Sequence, residues 1–173
     1  MLKFSRFFAA SIENSDLEFD VLFGPAYKGI TLSCATAMAL SENNGKNMPF
    51  TFNRKEKKDH GEGGSLVGAP VKGKIAIIDD VITAGTAIRE SFEIISANDA
   101  EPCAVFLALD RQERGQKDGV MTDTSAIQQI ESEFGVPIVP IATLRNLIDY
   151  LKEQPEQNEQ LDKMRTYRDR YGI

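Results

Sequence analysis

The sequence predicts an α/β fold, a three-layer open parallel sheet with helices on both faces. Two observations carry most of that prediction. Residues 74–78 and 103–109 are short runs that are apolar on both faces, as expected for central parallel strands rather than half-exposed antiparallel ones. Between and around them the period changes from two to 3.6, so that strand and helix alternate along the chain. A third observation is Asp79-Asp80-Val81-Ile82-Thr83-Ala84-Gly85-Thr86, a small-residue turn that ends one such strand and opens a helix.

The elements follow in order. Phe4, Phe7, Phe8 and Ile12 recur at helical spacing and predict an amphipathic first helix with those four on its buried face. Residues 20–23 form a short strand ended by Gly24-Pro25, and residues 30–40 a buried helix rich in Ala, Leu and Met. Residues 49–52 alternate as a strand. Residues 54–69 show no periodicity, carry four glycines, and predict a long loop; long loops in compact domains tend to be functional. The central strand at 74–78 precedes a helix over 87–97 whose inner side is Ile88, Phe92 and Ile95. After the strand at 103–109, residues 115–124 read as a surface loop, 125–134 as a helix and 136–142 as a strand interrupted by prolines. Thr143 caps a helix with the stripe Leu144, Leu147, Ile148 and Leu151; Pro155 stops it, and a last polar helix carries Leu161, Met164 and Tyr167.

Composition excludes several classes of function. The chain has 173 residues, which predicts one domain. Twenty basic against 26 acidic residues leave a net charge of −6, so the chain as a whole repels nucleic acid and acidic membranes. Its longest uncharged run, residues 29–41, is short of the roughly 18 apolar residues that span a bilayer, and the apolar patch at 7–10 is too short for a secretory signal. One His excludes a His-based metal cluster. Cys34 and Cys103 form no CxxC pair, read as core, and fit a reducing cytosol.

The chemistry is expected where ligands sit in open parallel sheets, at the carboxyl ends of the strands. The turn after Asp80 offers successive backbone N–H groups, two hydroxyls and the positive end of a helix dipole, which together cradle a phosphate. Gly85 lets the backbone approach closely. Neighbouring carboxylates cannot bind phosphate, but they accept hydrogen bonds from sugar hydroxyls; phosphate on one side and hydroxyls on the other describe a ribose 5-phosphate. Two acids by themselves would read as helix caps. Neither the GxGxxG of dinucleotide sites nor the GK[ST] of a P-loop is present.

IAIIDDVITAGTA resembles the phosphoribosyl-diphosphate motif of the type I phosphoribosyltransferases, a Rossmann-like fold. With GPAYKGI at 24–30, NRKEKKDHGEGG at 53–64 and LDRQERG at 109–115, the chain from about residue 19 to 173 is similar to orotate phosphoribosyltransferase. The resemblance implies one phosphoribosyltransferase domain over residues 1–173 with a flexible catalytic loop at about 54–69. It also implies transfer of ribose 5-phosphate from 5-phosphoribosyl 1-diphosphate to orotate, in pyrimidine synthesis. By it, Asp79 and Asp80 meet the ribose hydroxyls, and Val81, Ile82, Thr83, Ala84, Gly85, Thr86 and Ala87 surround the 5-phosphate. Tyr27, Lys28, Arg54, Lys55, Lys58 and His60 bind the diphosphate, with Lys58 and His60 catalytic beside Asp79 and Asp80. Thr83 and Arg111 take the orotate; without the resemblance Arg111 reads as a surface ion pair with Asp110 or Glu113. It further implies Mg2+ carried on diphosphate and ribose with no direct protein ligand, a cytoplasmic homodimer whose loops complete the neighbouring sites, and no nucleic-acid or membrane partner. The family's usual N-terminal hood segment, with its lysine and aromatic pair, is expected to be absent, since the chain begins MLKFSRFFAAS; the alternative expectation is a truncated, non-catalytic relative that still binds the sugar donor.

Overall fold

The computed structural model describes residues 1–45, 47–58, 64–117 and 120–173. The chain runs α1 (Leu2–Glu13), β1 (Val21–Gly24), α2 (Lys28–Asn44), β2 (Phe50–Lys58), β3 (Gly64–Gly68), β4 (Lys74–Asp79), α3 (Thr86–Ser96), β5 (Glu101–Asp110). It continues β6 (Arg114–Lys117), β7 (Val120–Ser125), α4 (Ala126–Phe134), β8 (Ile138–Thr143), α5 (Leu144–Lys152) and α6 (Asn158–Tyr171). Six strands form one sheet in the order β3-β2-β1-β4-β5-β8, parallel throughout except for β3 at its edge. The strand order reverses between β1 and β4, so the crevice at the carboxyl ends of those two strands is where a ligand is expected.

Period-two alternation divides the core. Leu22, Ala76, Ile78, Ala104 and Phe106 face α1 and α2, against Phe8, Ile12, Leu32 and Leu40. Phe23, Ile75, Ile77, Val105 and Leu107 face α3 and α4, against Ile88, Phe92, Ile95 and Ile130. Burying each such side chain contributes about 1.5–3 kcal/mol, and both faces of β4 draw on it. A smaller cluster of Leu144, Ile148, Leu151 and Leu161 joins α5 to α6, with Leu147 half-buried beside it. Thr143 caps α5 as predicted, its hydroxyl accepting from Asn146 N while the Asn146 side chain returns a bond to Thr143 N.

Several details differ from the sequence reading. Within the predicted loop at 54–69, residues 54–58 and 64–68 belong to the antiparallel strands β2 and β3, and residues 59–63 lie outside the described residues; residues 115–117 and 120–124 belong to a second antiparallel pair, β6 with β7. Along β7 most residues face solvent on both sides, so no apolar alternation marks the strand. The buried face of α1 is Ser5, Phe8, Ala9 and Ile12, leaving Phe4 and Phe7 exposed; small Ser5 and Ala9 let the helix approach its neighbours closely. Met38 is exposed rather than core, and Cys34 and Cys103 are half-buried free thiols. Burial pushes the Cys103 thiol up to about 11, so it is no nucleophile at neutral pH.

Candidate active site

The turn predicted to hold a phosphorylated sugar sits at the switch point. β4 delivers Asp79 to its carboxyl end, almost fully buried. Its carboxyl is raised to about 6, chiefly by desolvation and further by the Asp80 charge, with the Asp80 N–H, donating to Asp79 Oδ1 at 2.9 Å, holding back part of the rise. Asp80 is more open. Its main-chain oxygen accepts from Ala108 N at 3.0 Å and Leu109 N at 3.1 Å, which ties the turn to β5. Its Oδ2 accepts a hydrogen bond from the Lys28 ammonium, reaching across from the start of α2. That contact raises the Lys28 pKa and makes the acids and the lysine of two separate segments one constellation.

Beyond Asp80, residues 81–88 line, with Asp79, a cavity of about 290 Å³, at the low end of small-molecule sites. The Ile82 side chain is buried in the core, so only its backbone serves the cavity. Gly85 has φ +75° and opens α3. A Cβ there would stand 2.8 Å from Arg89 Nη1 and 3.0 Å from Ile130 Cδ1. Arg89 occupies that space because its Nη1 donates to the Ala84 carbonyl at 2.9 Å while Nε and Nη2 each meet Glu133 Oε2 at 2.9 Å. In a trans peptide the C=O and N–H point in opposite directions, so holding the Ala84 carbonyl toward Arg89 aims the Gly85 N–H the other way.

The neighbouring wall is the 24–28 turn, where the Ala26–Tyr27 peptide is cis. Gly24 packs so tightly that a Cβ would fall 2.1 Å from Gly29 O. Asn53, buried on β2, accepts from Ala26 N at 2.8 Å and fastens the turn to the strand carrying the basic run. Tyr27 and Lys28 are exposed at its rim. Because β2 runs parallel to β1 with Phe52 opposite Gly24, residues 54–58 extend past the end of β1 on the site's side of the sheet. Arg54 is half-buried there, and Lys55 Nζ lies 3.6 Å from Glu90 Oε2 on α3, so its charge rests on α3 rather than on the Asp79–Asp80 couplet. Lys58 ends β2, its backbone opposite Gly64; its side chain and His60 lie outside the described residues. On the other flank Arg111 Nη2 donates to Thr83 Oγ1 at 2.9 Å and lies 3.1 Å from Glu113 Oε2.

The structure therefore brings Lys28, Asp79, Asp80, Thr83 and Arg111 to one edge of the sheet. Asn53 and Arg89 were not singled out from the sequence, whereas Glu113 is one of the two ion-pair partners that the sequence offers Arg111. Asn53 left no signal, because the strand read from the sequence ends at residue 52 and polar Asn is ordinary beyond a strand end. A larger groove of about 710 Å³, lined by Glu18, Asp20, Asp99 and Glu101 among others, opens at the amino ends of the strands; its acidic lining repels phosphate.

Residues 1–139 match the family described as phosphoribosyl transferase domain. The chain is 56% identical over 173 residues to an orotate phosphoribosyltransferase of Marinobacter nauticus, covering 100% of this chain and 79% of that one. It is also 56% identical over 172 residues to one from Chromobacterium violaceum, covering 99% and 78%. The crystal structure of the Francisella tularensis orotate phosphoribosyltransferase superposes with a TM-score of 0.83 at 37% identity, over 99% of this chain and 80% of that one.

Proposed function

The chain belongs to the orotate phosphoribosyltransferases of the phosphoribosyltransferase family, and on that premise we propose how its residues carry the reaction. The activity is transfer of ribose 5-phosphate from 5-phosphoribosyl 1-diphosphate to orotate, giving orotidine 5-phosphate and diphosphate, in pyrimidine synthesis. The bond from the sugar C1 to the diphosphate oxygen breaks, and the bond from C1 to an orotate ring nitrogen forms. Positive charge develops on the sugar, so catalysis needs carboxylates beside the ribose and cations beside the leaving group.

The observation that carries the assignment is the meeting of Asp79, Asp80 and Lys28 beside the opening turn of α3. The 5-phosphate sits on the N–H groups of residues 83–87, and the orientation that Arg89 imposes on the Ala84–Gly85 peptide favours it. Asp79 and Asp80 accept from the ribose hydroxyls. Lys28 exchanges Asp80 for the diphosphate when the donor arrives, which frees the Asp80 carboxylate for the sugar. Tyr27 borders the same subsite. Arg54, Lys55, Lys58 and His60 close on the diphosphate from the β2 hairpin; Lys58 and His60 act in catalysis, and Lys55 leaves Glu90 to do so. Closure excludes water from a hydrolysable sugar cation. Thr83 and Arg111 receive orotate, the guanidinium taking its carboxylate.

The donor set suits Mg2+ on the substrate. Asp79 and Asp80 are hard oxygen donors, but among the described residues no third His, Cys, Asp or Glu joins them in a group that could hold the ion. Carried on the substrate rather than by side chains of this chain, the ion would neutralise charge on the leaving group. The chain works in the cytoplasm as a homodimer, its hairpin loop completing the neighbouring site; its two cysteines are free thiols, as a reducing compartment keeps them. Orotate consumption followed by absorbance with phosphoribosyl diphosphate and Mg2+ tests the reading. Turnover that requires both substrates supports it; binding of the donor with no turnover at any enzyme concentration refutes it.

A further inference from the structure

Arg111 stands just past the carboxyl end of β5, and what holds it there comes from the far end of the chain. Its Nη2 meets both Thr83 Oγ1 and Glu113 Oε2. The second oxygen of Glu113 accepts from the hydroxyl of Tyr167 on α6. Around this relay Arg114 Nε donates to Gly172 O at 3.1 Å, Ile173 N to Gln112 O at 3.0 Å, and Arg145 N to Gln112 Oε1 at 2.9 Å. Glu113 and Gly172 also form a β-bridge. Segment 111–114 is thus held between the first turn of α5 and the last residues of the chain, although Leu161 is the one α6 residue that is buried among those described.

We propose that the C-terminal helix is a positioning element for the base: Tyr167 holds Glu113, Glu113 holds Arg111 by one corner of its guanidinium, and the carboxylate of orotate finds that guanidinium already oriented. The inference rests on the reading that Arg111 receives the orotate carboxylate. Both protein contacts use Nη2, so they orient the group without wrapping it. Its Nε is buried with no acceptor among the described residues, a donor still unsatisfied. An unanchored arginine would have to be ordered as the base binds; the relay removes that entropy loss beforehand. Glu113 balances the charge until a carboxylate arrives.

The test is steady-state kinetics of the full chain with both substrates varied, on Tyr167→Phe, Glu113→Gln, Arg111→Ala and the Arg111→Ala/Tyr167→Phe double variant, with thermal melts alongside. Tyr167→Phe keeps the ring and its contact with Tyr171, so the melt should hold. It should raise KM for orotate about 2- to 10-fold, the range of ordering one flexible side chain, with KM for the donor unchanged. Glu113→Gln, which keeps an acceptor, should fall between Tyr167→Phe and wild type. Arg111→Ala should raise KM for orotate about 10- to 100-fold, as loss of charge-assisted bonds does, and in that background Tyr167→Phe should add nothing. If Arg111→Ala acts and Tyr167→Phe does not, the relay is overturned and the assignment of Arg111 stands. If Arg111→Ala leaves KM for orotate alone, the assignment itself fails. Equal rises in both KM values in Tyr167→Phe, or a full effect that persists without Arg111, would make the contact merely structural.

Discussion

Replacing Asp79 with asparagine should make the unliganded protein more stable and the enzyme worse. The carboxyl is almost fully buried at the end of β4, beside a second acid, and its pKa rises from 3.8 to about 6. Between those values the folded state binds a proton that the unfolded chain has released, so stability falls as pH climbs through the window. Below 3.8 the carboxyl is protonated in both states and the loss is absent; above 6 it is complete. At about 1.4 kcal/mol per pKa unit the displacement amounts to about 3 kcal/mol at neutral pH. Asparagine keeps an oxygen to accept from Asp80 N but forgoes the strength of a charged acceptor, so the net gain should be about 1–3 kcal/mol, or roughly 3–10 °C in melting temperature for a chain of this length. Urea melts of both proteins at pH 8, 6 and 4.5 measure it. The variant should lead at pH 8, and its lead should shrink toward pH 4.5. A variant no more stable than wild type at pH 8, or one whose advantage is the same at every pH, would show that the carboxylate is not held under desolvation. The same change should lower kcat/KM for the donor about tenfold or more, since neutral acceptors bind hydroxyls less tightly than ionised ones.

Three further outcomes follow from particular contacts. Gly85→Ala places a Cβ against Arg89 at a φ that costs an alanine about 1–2 kcal/mol; it should raise KM for the donor about tenfold or more and lower the melting temperature, and an unchanged donor KM would mean the peptide orientation is irrelevant to the phosphate. Asn53→Ala frees Ala26 N at a loss of about 1 kcal/mol and should weaken the donor while sparing orotate; an unchanged KM for the donor would argue against the hydrogen bond. Lys58→Ala should reduce kcat by about 100-fold or more with an unaltered melt, the scale of losing one electrostatic stabiliser, and a variant that unfolds would make Lys58 a structural residue.

What the sequence disclosed depended on how far apart the partners lie. Asp79 through Ala87 act as consecutive residues, so strand period, acids and turn chemistry appear together on one line and point to a phosphorylated sugar. The central strands were equally legible, because burial on both faces leaves an unbroken apolar run. The β6–β7 pair was not, since β7 faces mostly water. The face of α1 was misplaced by about one residue because helical spacing counted large phenylalanines, while packing chose small Ser5 and Ala9 for close approach. Asn53 with Ala26, Arg89 with Glu133 and Tyr167 with Glu113 are separated by 27, 44 and 54 positions. Their meeting depends on sheet order and on how the last helix docks, and no local pattern encodes either.

The most direct test is a crystal soaked with phosphoribosyl diphosphate and Mg2+. The account predicts density for the 5-phosphate on the amides of residues 83–87, with ribose hydroxyls on Asp79 and Asp80 and the Lys28 ammonium moved from Asp80 to the diphosphate. A donor bound elsewhere, or that bend empty with Lys28 still on Asp80, would contradict it.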